Sequence, residues 1–92
     1  MAAILKELLD GILQDSLAVS LAQAMAAANK RAQEAGVDAS QSRISVTQQH
    51  SKQGLVWRIY YGHQNPVGRR GGGLTVDVAS EDATVRQVLR GQ

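Results

Sequence analysis

The sequence predicts an α+β fold in which an N-terminal helix, or two helices, pack on one face of a three- or four-stranded antiparallel sheet. Three observations predict it. Residues 1–36 place apolar side chains at helical spacing and are rich in alanine. Residues 43–90 hold short runs that alternate apolar and polar, separated by glycine and turn clusters. The only bulky aromatics, Trp57, Tyr60 and Tyr61, fall together in one of those runs. Helices first and strands afterwards is the element order of an α+β domain. Ninety-two residues make one domain.

Leu5, Leu8, Leu9, Ile12 and Leu13 recur every three or four positions, so residues 3–13 read as a short amphipathic helix. Leu17, Leu21, Ala24, Met25, Ala28, Ala32 and Ala35 continue the stripe, and Gly36 supplies a stop. An unbroken helix over residues 3–35 would be about 50 Å long, wider than so small a domain. The chain therefore either bends between Gly11 and Ser16, where Asp15 or Ser16 can cap a second helix, or sends a long helix out to pair with another chain. The bend is the favoured reading. Alanines at 22, 24, 26, 27, 28 and 32 suit close approach of that helix to a sheet; they also simply favour helix.

Arg43, Ile44, Ser45, Val46, Thr47 and Gln48 alternate as a half-buried strand does. Residues 50–54 form a turn, with Gly54 free to take a positive φ. In the strand over 55–61, Leu55, Trp57, Ile59 and Tyr61 share one face and Val56, Arg58 and Tyr60 the other. Residues 62–73 are a long loop containing the only proline and the run Gly68, Arg69, Arg70, Gly71, Gly72, Gly73. Residues 74–78 are a third strand, 80–83 a tight turn, and 85–89 a fourth strand in a hairpin with the third.

Composition narrows the chemistry. With no cysteine, there is no disulfide framework, thiolate nucleophile or cysteine-based metal site. His50 and His63 fall in predicted turns with no carboxylate at ligand spacing, which argues against a metal site. No serine lies in a nucleophile elbow, and nothing points to a cofactor. The expectation is a non-enzymatic domain. The apolar run 17–28 is preceded by Glu7, Asp10 and Asp15, where a secretory leader has net positive charge, so it reads as helix; the compartment stays open, with the cytoplasm favoured. No apolar run approaches the roughly 20 residues of a membrane span.

Two surfaces are candidates for function. Residues 1–40 carry three Lys/Arg against five Asp/Glu, and residues 41–92 seven against three. If the helices cover one sheet face, Arg58, Arg86 and Arg90 make the open face basic, with Tyr60 among them. Arg69 and Arg70 in the glycine run add an anion-binding loop. Polyanion or nucleic-acid binding through these groups is the alternative function. The leading expectation is contact with another protein, including a second copy of the chain through Leu5, Leu8, Leu9, Ile12 and Leu13.

The strand Val56, Trp57, Arg58, Ile59 and the closing segment Val78, Ala79, Ser80, Glu81, Asp82, Ala83, Thr84, Val85 resemble the PepSY family over roughly residues 20–90. PepSY domains pair an alanine-bearing helix with an antiparallel sheet, an arrangement similar to cystatins. Ala79 and Ala83 stand where that family's hairpin pattern has Asp and Gly. The resemblance implies a cystatin-like layout and a regulatory, inhibitor-like role toward a partner protein.

Overall fold

The computed structural model describes residues 2–63 and 73–91, with side chains from Lys6 onward. Two helices precede four strands: α1 (Ala2–Gln14), α2 (Ser16–Glu34), a 3-10 turn at Ala39–Gln41, β1 (Ser42–Ser51), β2 (Gly54–His63), β3 (Leu74–Ala79) and β4 (Val85–Arg90). The strands form one antiparallel sheet in the order β1-β2-β3-β4. The fold is α+β, and α2 is the helix that covers the sheet.

The break between the helices is a single residue. Asp15 adopts an extended conformation (φ −89°, ψ 105°), and its carboxylate accepts from the Ala18 backbone N–H at 3.0 Å. That bond satisfies one of the orphan donors at the start of α2. The other end of α2 closes in a Schellman arrangement. Gly36 takes φ 84°, its N–H donates to Gln33 O, and the Val37 N–H donates back to Ala32 O.

Ala24, Ala28 and Ala32, one helical turn apart, are fully buried. They form the core with Trp57, Ile59, Tyr61, Leu74, Val76 and Val78. Cross-strand pairing explains which strand residues belong to it: Trp57 faces Val78, Ile59 faces Val76 and Tyr61 faces Leu74, so all six point to α2. Methyl side chains on the helix let it lie close to these larger groups on the sheet.

Two long-range polar contacts fix α2 along its length. Near its start, the Trp57 indole N–H donates to Ser20 Oγ at 2.9 Å, and Ser20 Oγ donates to Ser80 O at 3.0 Å. Nine residues on, the Tyr61 hydroxyl donates to Asn29 Oδ1 at 2.6 Å. Each buried aromatic thus finds a partner for its polar atom, as burial requires.

The strand pattern departs from expectation in two places. β1 was expected to be half-buried, yet Ile44 and Val46 are 36% and 39% exposed. They lie on the helix side of the sheet, opposite Tyr61 and Ile59, but α2 runs above β3 and β2 and leaves β1 open. In β4, the register slips between Asp77 and Val78, so that Val76 faces Val88 while Val78 faces Val85. This bulge turns Val85 and Val88 both toward the core and reverses the facing of the residues between and beyond them.

Candidate functional site

α1 is the first candidate surface. It meets α2 near their junction and makes no substantial contact with the sheet. Its apolar stripe is therefore uncovered: Leu8, Leu9, Ile12 and Leu13 are all more than half exposed, up to 69% for Leu13, and Leu17 at the start of α2 extends the patch. Leu5 belongs to the same helix by its backbone, and its side chain lies outside the described part. Such a run of exposed large aliphatics exceeds what scattered surface hydrophobics explain.

The helix side of β1 is the second apolar feature, with Ile44 and Val46 in sequence alternation and Leu55 at the hairpin end also exposed. β1 is an edge strand of ten residues without proline. Arg43 is its single Lys or Arg, and it contains no Asp or Glu.

The open sheet face carries the expected polar groups, in a different state from the expected one. Arg58 lies opposite Asp77 across β2 and β3. Its Nε donates to Asp77 Oδ1 at 2.8 Å and its Nη2 to Oδ2 at 2.9 Å, a bidentate pair. The hydrogen bond to Asp77, with the carboxylate's charge, raises the Arg58 pKa above its already high ordinary value. The guanidinium of Arg58 is thus paired with a carboxylate on the same sheet face. Arg86, beside the bulge, donates to Gln53 Oε1 at 2.9 Å. Arg58, Asp77, Arg86, Gln87, Gln53 and Gln49 line a shallow groove of about 510 Å³ there.

Arg90 is a correction. The β4 bulge puts it on the helix side, opposite Leu74, where its guanidinium donates to Ala35 O at the end of α2. A cation at that carbonyl also meets the negative end of the helix dipole. Arg90 thus ties helix to sheet and is absent from the open face. Tyr60 is where expected, on the open face and partly exposed, its hydroxyl accepting from the Gly73 N–H at 3.3 Å. Arg69 and Arg70 lie outside the described residues. Among the described residues, no three His, Asp or Glu side chains gather as metal ligands would.

The sequence reading missed Asp77 as the partner of Arg58, and Ile44 and Val46 as exposed groups. An acidic residue in the middle of an apolar strand, between Val76 and Val78, was the available signal for the first.

No family model, curated protein or solved structure matches this chain. Among the described residues, no helix is long and apolar enough to cross a membrane. The surfaces themselves therefore carry any functional reading.

Proposed function

We propose that this chain is a non-enzymatic protein-interaction domain that binds through the apolar face of α1, and that its partners include a second copy of itself. One observation carries the reading: Leu8, Leu9, Ile12 and Leu13 stand uncovered on a helix that adds almost nothing to the domain's own core. A helix of 13 residues is marginal alone in water, so an amphipathic one gains most of its stability from whatever covers its apolar side. A regulatory, inhibitor-like mode is what the PepSY resemblance would add. Ala83 supports that likeness in one respect: it has φ 58°, a glycine conformation, at the place where the family pattern has Gly.

The charge split of the chain supports a second reading, polyanion or nucleic-acid binding by the basic half. The pairing of Arg58 with Asp77 and the placement of Arg90 against α2 weigh against it. Arg43, Lys52 and Arg86 remain on the described part of that half, and Arg69 and Arg70 lie outside it.

Light scattering across a concentration series tests the leading reading. The expected result is a dimer whose dissociation constant rises at least tenfold in the double variant Leu9→Lys, Leu13→Lys. A strict monomer at high protein concentration would remove self-association. Retention on heparin that falls steeply with added salt would put the polyanion reading first.

A further inference from the structure

The sheet is wider than its cover. Four strands spaced by about 4.8 Å span roughly 19 Å including their edges, whereas one helix with its side chains is about 10 Å across. α2 packs against β3 and β2 and makes no substantial contact with β1, whose helix-side Ile44 and Val46 are exposed. That face has room for a second helix. The chain owns one, α1, and cannot place it there itself. Antiparallel helices need a connection of about 2–5 residues to fold back on one another, and a single residue, Asp15, joins α1 to α2. The molecule is accordingly extended, with a radius of gyration of 15.1 Å against about 12 Å for a compact chain of this length.

Resting on the self-association proposed above, we infer that α1 of one protomer lies along the helix-side face of β1 of a second copy, and reciprocally, so that each sheet receives its second covering helix in trans. The occupant is a second copy because the area fits a reciprocal pair. Leu8, Leu9, Ile12, Leu13 and Leu17 with Ile44 and Val46 expose roughly 650 Å² per protomer, so a reciprocal pair can bury up to about 1,300 Å², within the range of stable interfaces.

The absence of cysteine makes the test direct. Full-length Leu9→Cys and Leu13→Cys chains are each mixed with Val46→Cys chains, and oxidised or bridged with a short bis-maleimide. The expected product is a covalent dimer joining position 9 or 13 of one chain to position 46 of the other, in excess of either variant linked to itself. A Val46→Lys chain with unchanged circular dichroism is expected to lose at least tenfold in dimer affinity. Linkage of 9 to 9 alone, or of 46 to 46 alone, in a chain that dimerises overturns this geometry and leaves self-association standing. A dimer indifferent to Val46→Lys also overturns it. A monomer by light scattering removes both proposals.

Discussion

Ala83 shows how much one backbone angle can decide. It is the single non-glycine with positive φ among the described residues, in the turn between β3 and β4. Its N–H donates to Ala79 O at 2.9 Å, and the Ala79 N–H donates to Thr84 O at 2.8 Å, so the turn is held from both sides. Asp82 adds a hydrogen bond from the Thr84 N–H at 3.0 Å. Hydrogen bonds from Thr84 hold the Asp82 carboxyl below its ordinary pKa, and this contribution is present at neutral pH and lost on acidification through that lowered value. An L-residue pays about 1–2 kcal/mol for the left-handed region, and a β-branched one more. Ala83→Val is therefore expected to destabilise by about 2 kcal/mol although it adds apolar surface beside the core, whereas Ala83→Gly should remain within about 0.5 kcal/mol of the parent because strain relief offsets chain entropy. Urea denaturation of the two variants checks the pair.

At the scale of elements, the decisive contact is the alanine face of α2 on β2 and β3. Ala28 is fully buried at its centre and Ala26 is exposed on the other side. Ala28→Leu is expected to cost about 1–3 kcal/mol by forcing helix and sheet apart, while Ala26→Leu should change stability by less than about 0.5 kcal/mol. Thermal melts of both variants separate a packing requirement from mere helix preference. Much of this element structure was legible. Asp15 and Gly36 mark the ends of α2 because capping is local chemistry, and the alternation of Trp57, Ile59 and Tyr61 marks the core face because strand parity is local too. What was not legible depends on partners distant in sequence. Alternation in β1 says which side Ile44 and Val46 face, and is silent on whether a helix lies above them. The bulge reverses parity inside β4, so Arg90 could not be placed from its own strand. The Arg58–Asp77 pair needs the β2–β3 register, which alternation within either strand does not fix. The candidate surface on α1 was readable as an amphipathic stripe, because the same leucines that would build a core in cis are the ones left outside.

For the whole molecule, the layout makes stability depend on pH at the alkaline end. Burial pushes the Tyr61 hydroxyl up to about 12, while in the unfolded chain a tyrosine ionises near 10. Between those values the unfolded chain has released a proton that the native one still holds. The stabilisation is thus complete below about pH 10 and is lost as pH rises toward 12. Tyr61→Phe should be less stable than the parent at pH 8, by about 1 kcal/mol for the lost bond to Asn29, and should show a shallower decline between pH 10 and 11.5. Urea midpoints at those pH values give the comparison.

The Ser20 hydroxyl meets Ser80, 60 positions further along the chain. During synthesis from the N-terminus, α2 leaves the ribosome well before the strands it will lie on, and Ser80 emerges only after all of β1, β2 and β3. The four strands can zip up in order, each beside its predecessor, but the helix must wait for the last hairpin before it docks. Until then its alanines and the leucines of α1 are open to any apolar surface nearby, so the nascent chain is the form of this protein most prone to premature association.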